Sequence, residues 1–231
     1  MNRRPDYLAH GVLLFGVILF VLPVWVMVAG ATQDGGVIAR GGLSLLPDPH
    51  GLGVFWRALF YEGAASAGYP VWHMLLVSFA MAAGIAVGKI AISLLSAFAV
   101  VFFRFPLRKL AFWTIFLTLM LPVEVRIIPS FAVVSSLHLV NSYAGLTLPL
   151  IASATATLLF RQVFTALPDE LVEAAILDGA GPMVFLRDIV LPVSRANIAA
   201  LFVILFVYGW NQYLWPLLAA TSPAFTPIVL G

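Results

Sequence analysis

The sequence predicts an all-α, polytopic bundle of transmembrane helices. Of its 231 residues, 62% are hydrophobic and only 10% are charged. The mean hydropathy of +1.06 lies outside the range of soluble globular domains. Apolar runs recur along the chain, and a run of about 20 residues is long enough to cross the hydrocarbon core of a bilayer as a helix. A signal peptide or a single anchor would supply only one such run, so we expect several crossings.

Five spans are predicted, near residues 8–30, 73–102, 110–129, 144–160 and 197–220. The first is longer than the apolar core of a signal peptide and is therefore expected to be a retained helix. We divide the chain into residues 1–71, the first helix with a long external loop, and residues 72–231, the core of the bundle. The chain ends at Gly231 where another apolar run begins, so a sixth span is expected to be missing from this sequence.

The basic residues predict the orientation, because cytoplasmic loops carry an excess of Lys and Arg. If the N-terminus is cytoplasmic, three of the twelve basic residues lie on the external side of the membrane, at Arg40, Arg57 and Arg126. One more, Lys89, lies within a span. The other eight lie inside: Arg3, Arg4, Arg104, Arg108, Lys109, Arg161, Arg187 and Arg195. The N-terminus and the loop 166–196 are thus both expected in the cytoplasm.

The loop 166–196 is a polar segment with strong helix signals. Pro168 can open a helix, and Asp169 and Glu170 place negative charge at its positive end. Gly179 is suited to the left-handed conformation that ends a helix. Pro182 then suits the first turn of a second short helix, MVFLRDIVL, which we expect Pro192 to close. The loop is therefore predicted to form two short helices that meet at an angle.

Three strings in this loop resemble, in order and spacing, the EAA loop of ABC importer permeases, through which the membrane subunit binds its ATPase. They are Glu173-Ala174-Ala175, Asp178-Gly179-Ala180 and Ile189-Val190-Leu191-Pro192. From about Trp72 onward the chain resembles the sugar-type permeases of the maltose-permease class, and therefore a type I ABC importer permease. Supporting strings are Phe103-Arg104-Phe105-Pro106, Leu139-Val140-Asn141-Ser142-Tyr143 and the stretch from Tyr208 to Pro216.

Less widely shared strings resemble the permeases of sn-glycerol-3-phosphate importers. They are LMLPVEVRI at 119–127, SYAGLTLP at 142–149 and SATAT at 153–157. The resemblance implies a subunit of the bacterial inner membrane that pairs with a second permease, two ATPase subunits and a periplasmic binding protein. It implies no cofactor of its own, since ATP belongs to the ATPase subunits, and no nucleic-acid partner. A neutral sugar or oligosaccharide is the alternative substrate.

Lys89 is the costliest residue of the predicted spans, at about 2.5–3.5 kcal/mol for a lysine near mid-membrane. It either lines the path of an anionic substrate or pairs with an acid on a neighbouring helix or subunit. Glu124 and Arg126 lie near the expected outer end of the third span, where they either contact the substrate as a pair or sit at the membrane interface. Arg126 can hold a phosphate with two hydrogen bonds, or it can extend to water at the interface.

Four residues at the end of the fifth span offer aromatic faces and an amide that suit a polyol or sugar: Trp210, Asn211, Tyr213 and Trp215. For the tryptophans, anchoring at the membrane interface is an equal alternative.

No catalytic or metal-binding pattern is evident in the sequence. The chain has no cysteine, and HExxH and GxSxG are absent. His10, His73 and His138 are isolated from acids and from one another in the sequence. The run from Gly84 to Lys89 has the wrong spacing for a phosphate-binding loop, and its small residues indicate close helix packing instead. A membrane-embedded enzyme is therefore disfavoured, and a passive channel would not need the EAA loop.

Overall fold

The structure, a computed structural model, describes residues 7–61, 68–117 and 123–231. These residues are largely helical and contain no β-strand, which confirms the predicted all-α class. Two compact units are present, residues 1–64 and 65–231. Within the described ranges, three helices are long and apolar enough to cross a membrane, or four if one bent pair counts as a single span.

The first unit is built on helix α1, Tyr7–Ala31, which is one of the helices long and apolar enough to cross a membrane. Two short helices follow, α2 (Gly35–Ala39) and α3 (Leu52–Phe60). Side chains in and just after the last turns of α1 form hydrogen bonds to the loop that connects α2 and α3. The Gln33 amide donates to the Ser44 carbonyl at 2.6 Å and accepts from the Ser44 N–H at 2.9 Å. The Trp25 indole N–H donates to the Leu45 carbonyl at 2.9 Å, so this loop is fastened to the helix.

The second unit is organised around α4, Val71–Phe102, a helix of 32 residues. Helices α8 (Ala154–Thr165) and α11 (Leu191–Trp210) both pack along it. The close approaches occur at glycines, as the spacing of Gly84 and Gly88 predicts. A Cβ at Gly88 would lie 2.5 Å from Cγ2 of Ile151. A Cβ at Gly209 in α11 would lie 2.9 Å from the Cα of Ala82 in α4. Gly209 thus sets the distance between α11 and α4, and Gly88 makes room for Ile151 in the turn before α8.

The predicted third span, 110–129, corresponds to α5 (Arg108–Leu117) and α6 (Val123–Ser136). Residues 118–122, at the centre of that span, lie outside the described residues. A single continuous crossing here therefore stays a prediction.

The predicted fourth span is broken, which corrects the expectation of one helix over 144–160. Helix α7, Tyr143–Thr147, is followed by a 3-10 turn at Leu148–Leu150, and α8 leaves at 56° to them. Ser153 starts α8 as its N-cap, because its Oγ accepts from the Ala156 N–H at 3.3 Å. The Ser153 carbonyl accepts from the Ser93 hydroxyl of α4 at 3.0 Å, so the break is hydrogen-bonded inside the bundle.

The predicted fifth span, 197–220, differs from the structure at both ends. The helix begins at α10, Pro182–Phe185, and runs to Trp210, so Pro192 does not end it. A π-helical turn at Leu186–Val190 explains this, since it displaces the carbonyls that the ring of Pro192 would meet in a regular helix. Asn211 caps the far end by donating its side-chain amide to the Val207 carbonyl at 2.9 Å. Residues 214–219 form a separate helix, α12 (Leu214–Ala219).

We expect Gly209→Ala to destabilise the second unit by about 1–3 kcal/mol, because the added methyl group would meet the backbone of α4. Thermal unfolding of the purified chain in detergent measures the change. Gly16→Ala is the matched control, since a Cβ at Gly16 has no neighbour within 4 Å. Equal melting temperatures for the two variants would contradict the close approach of α4 and α11.

Candidate coupling surface and translocation path

The loop 166–196 forms the helix–turn–helix that its sequence predicts. Helix α9, Asp169–Leu177, begins after Pro168 and carries Asp169 and Glu170 in its first turn. Gly179 ends it with φ +71°, in the left-handed region. The Ala180 N–H donates to the Ala175 carbonyl at 2.9 Å and the Gly179 N–H donates to the Ile176 carbonyl at 3.0 Å. These two bonds define a Schellman motif, and α10 then starts with Pro182 in its first turn.

The outer face of this loop combines exposed apolar and acidic side chains. Leu177 is 88% exposed, Ile176 69% and Met183 68%. Four acidic residues are also exposed: Asp169, Glu170, Glu173 and Asp178. Leucine, isoleucine and methionine exposed together in a polar loop indicate a surface that another protein covers. We call these seven residues the candidate coupling surface.

The opposite face of the loop is buried against the spanning helices. Ala175, Phe185, Leu186 and Val190 share one apolar cluster, and their neighbours in it come from three spanning helices: Leu94, Ala97 and Phe98 from α4, Phe160 and Phe164 from α8, and Leu201 from α11. The loop is thus packed against all three at once, and its displacement would be transmitted to them.

Aromatic rings form the centre of that cluster. The ring of Phe185 lies 5.1 Å from that of Phe102, edge to face, and 6.2 Å from that of Phe98. Phe102 in turn lies 6.0 Å from Phe164. The sequence reasoning missed Phe185, whose only local signal was its place in the apolar string MVF.

Of the predicted coupling residues, the structure places Glu173, Ala174, Asp178 and Gly179 on the exposed side of the loop. Ala175 is buried in the apolar cluster, and Ala180 packs against it. The six therefore divide between an outer face and a supporting face. Their part in coupling stays a prediction.

Lys89 lies near the middle of α4 and is only 6% exposed. Its Nζ lies 3.7 Å from the ring centroid of Tyr208 in α11, a cation–π contact. Arg126 of α6 is close enough to act on Lys89 electrostatically. Among the described residues no carboxylate forms a salt bridge with either cation. The positive charges of Lys89 and Arg126 therefore lie near one another, and no carboxylate among the described residues neutralises either of them.

Tyr208 was not singled out by sequence reasoning. It belongs to a string quoted for its family resemblance, yet it is far from Lys89 in the chain, and only the packing of α11 on α4 brings them together. No local pattern could have found this pair. The side chain of Glu124 lies outside the described residues.

The aromatic candidates are dispersed. Trp215 is 2% exposed and donates its indole N–H to the Gly145 carbonyl at 3.1 Å, so its contacts are those of a packing residue. The ring of Trp210 lies 5.8 Å from that of Phe206, and Tyr213 is 50% exposed. Asn211 bonds to its own helix. A joint role for these four in the path stays a prediction.

Comparison with known proteins agrees with this architecture. Residues 89–231 match the family described as "Binding-protein-dependent transport system inner membrane component". The sn-glycerol-3-phosphate transport system permease protein UgpE of Salmonella typhi is 55% identical over 231 residues, covering 100% of this chain and 82% of the relative. UgpE of Yersinia pestis bv. Antiqua (strain Antiqua) is 53% identical over 234 residues, with the same coverage.

A bacterial ABC transporter involved in the import of the acidic polysaccharide alginate has a similar fold. Its solved chain aligns with a TM-score of 0.81 at 19% identity, covering 100% of this chain and 80% of that one.

The helical core, its helix–turn–helix loop and these relatives define a permease subunit of an ABC importer, a multi-pass membrane component without a catalytic role. The chain belongs to the family of binding-protein-dependent transport system inner membrane components. A permease of this kind works with another permease, an ATPase and a binding protein. The prediction of a transport subunit is confirmed over that of a membrane enzyme.

We expect Gly179→Val to weaken retention of the ATPase on the permease and to reduce ATP-driven uptake, with the chain still inserted. The left-handed conformation at φ +71° costs an L-residue roughly 1–2 kcal/mol, which favours a different angle between α9 and α10. A Cβ there meets nothing within 4 Å, so the effect arises from the backbone. Co-purification of the two subunits measures it.

Gly181→Val is the control in the same loop. Gly181 has φ −70° and also has open space at its Cβ position. The Gly181→Val variant should retain the ATPase as well as the unsubstituted chain does. Equal loss in both variants would mean that the loop tolerates no branched residue, and the angle between α9 and α10 would not be the cause.

Proposed function

We propose that this chain is a permease subunit of an ATP-driven importer of sn-glycerol-3-phosphate. Relatives that are 53–55% identical over the whole chain carry that substrate in their names. The strings that distinguish those permeases also include Arg126. The observation that carries the proposal is the buried cation Lys89 in the middle of α4, with the half-buried cation Arg126 of α6 near enough to act on it electrostatically.

The electrostatics of the pair favour an anionic substrate. Burying Lys89 removes hydration from its ammonium group, and the like charge of Arg126 adds to the cost. A phosphate between Lys89 and Arg126 would offset both the lost hydration and the repulsion between the two cations. The guanidinium of Arg126 can bind two of the phosphate oxygens. Tyr208 holds Lys89 in place when the anion is absent. A neutral sugar would leave both costs uncompensated.

ATP hydrolysis in the partner would act through the candidate coupling surface. The partner's ATPase covers Ile176, Leu177 and Met183, with the acidic residues at the rim of the contact. Closure of the ATPases then moves the loop. The buried cluster around Phe185 carries that motion to α4, α8 and α11. Because Lys89 is on α4 and Tyr208 is on α11, the motion reaches the residues that hold the substrate.

The assembly we propose has this chain beside a second permease, above two ATPase subunits, and loaded by a periplasmic binding protein. Its membrane is the bacterial inner membrane, with the N-terminus in the cytoplasm. The structure supports a position on the same side of the membrane as the coupling loop for several of the basic residues. Arg108, Lys109 and Arg161 line one cavity near the end of α4, and Phe102 at that end contacts Phe185 of the coupling loop.

Arg126→Gln should reduce uptake of labelled sn-glycerol-3-phosphate about tenfold or more, because a hydrogen bond to a charged group contributes roughly 1.5–3 kcal/mol. Basal ATPase activity should change far less. The measurement uses the complex reconstituted in liposomes, with labelled maltose as a parallel substrate. Lys89→Gln should behave in the same way.

Arg57→Gln is the control, since Arg57 is exposed and lies in the first unit. Equal loss of uptake and of basal ATPase activity would point to a role in folding. Unchanged uptake would remove Arg126 from the substrate site, and transport of maltose alone would replace the anionic substrate with a neutral one.

Single cysteines test the orientation, because the chain has none of its own. We expect Leu177→Cys, at a position 88% exposed, to be protected from an impermeant thiol reagent in intact spheroplasts. Leu46→Cys, at a position 75% exposed in the predicted external loop, should react. The reverse pattern would invert the proposed topology.

A further inference from the structure

A cavity of about 520 Å³ lies between the end of α4, the start of α5 and α8. Three basic side chains line it, Arg108 and Lys109 from α5 and Arg161 from α8, together with the rings of Phe112 and Trp113. It is separate from the proposed substrate path, whose Lys89 lies near the middle of α4. Neither the coupling role nor the substrate path accounts for it.

The charge in this cavity is unbalanced. No carboxylate is among its lining residues in the described chain. Arg161 lies over the ring of Phe112, with its guanidinium carbon 4.6 Å from the ring centroid, which fixes its position. Arg108 donates only weakly, to the Phe103 carbonyl at 3.4 Å. Most of the N–H donors of these three cations therefore remain available to an anion.

The orientation rule for basic residues accounts for their side of the membrane but not for their convergence. Arg108 and Arg161 come from helices far apart in the chain, and the packing of α5 against α8 brings them to one cavity. Arginine on two sides of a cavity can hold a phosphate through several charge-assisted hydrogen bonds.

The surroundings of the cavity favour a lipid over a free anion. Leu110, Trp113 and Leu117 are 59%, 56% and 56% exposed, and they occupy neighbouring turns on one face of α5. An apolar face of this kind, leading away from a basic cavity, is suited to an acyl chain. A tryptophan beside it is typical of the depth of the headgroups.

We propose that this cavity binds the phosphate headgroup of an anionic phospholipid from the leaflet next to the coupling loop. Three uncompensated cations favour a lipid with net negative charge over a zwitterionic one, whose positively charged ammonium group would be repelled by the same cations. The bound lipid joins α5 to α8. Because α8 carries Phe164 of the cluster below the coupling loop, the lipid steadies the support of that loop.

The full chain, purified in detergent, tests the site by titration with phosphatidylglycerol or phosphatidylcholine and native mass spectrometry. We expect several-fold more phosphatidylglycerol bound. The double variant R108Q/R161Q should lose that excess. R161K keeps the charge without the two-pronged geometry and should lose part of it. The helical circular dichroism signal checks that each variant is folded. K109Q changes an exposed side chain whose loss should leave the fold intact, and it should also reduce the excess binding of phosphatidylglycerol.

The control is R187Q/R195Q, which removes the same number of positive charges from exposed positions outside the cavity. It should keep the preference for phosphatidylglycerol. An equal loss in the control, or equal binding of the two lipids, would overturn the proposal. Inorganic phosphate at millimolar concentration should not displace the lipid, and full displacement would assign the cavity to a soluble anion instead.

Discussion

The packing of Phe185 against Phe98 and Phe102 is the contact on which the rest of this architecture depends. It lies beneath a loop whose outer face is exposed, and it joins that loop to α4, the longest helix among the described residues. Interiors of this kind are closely packed and resist compression, so they transmit displacement. A flexible connector in the same place would absorb a partner's motion, whereas this loop is able to pass it on.

Backbone irregularities occur where a helix ends, bends or passes a proline. Gly179 ends α9, Ser153 begins α8 after a 56° bend, and the π-helical turn at Leu186–Val190 lets the helix continue through Pro192. The break before Ser153 belongs to a predicted span, where hydrocarbon could not satisfy the freed backbone groups. At the fourth span the hydroxyl of Ser93 meets one of them, and the break therefore lies within protein instead of facing lipid.

Positive charge is distributed between two environments in this chain. Lys89 is buried in the bundle, where desolvation makes an unpaired cation expensive, and the half-buried Arg126 lies near it. Arg108, Lys109 and Arg161 lie at the end of the bundle near the coupling loop, where the cost is lower and anionic headgroups are available. The same phosphate chemistry suits both places, and the difference in depth separates a transported ligand from a resident one.

The sequence by itself determined the features that depend on neighbouring residues. Apolar runs predicted the helices Tyr7–Ala31 and Val71–Phe102, and Pro168, Gly179 and Pro182 predicted the turn of the coupling loop. Only the tertiary structure decided where the fourth span breaks and how the fifth passes Pro192. It also decided the contact of Lys89 with Tyr208 and the convergence of Arg108 with Arg161. Helix propensity and capping act over a few residues, whereas these contacts join distant segments through the packing of whole helices.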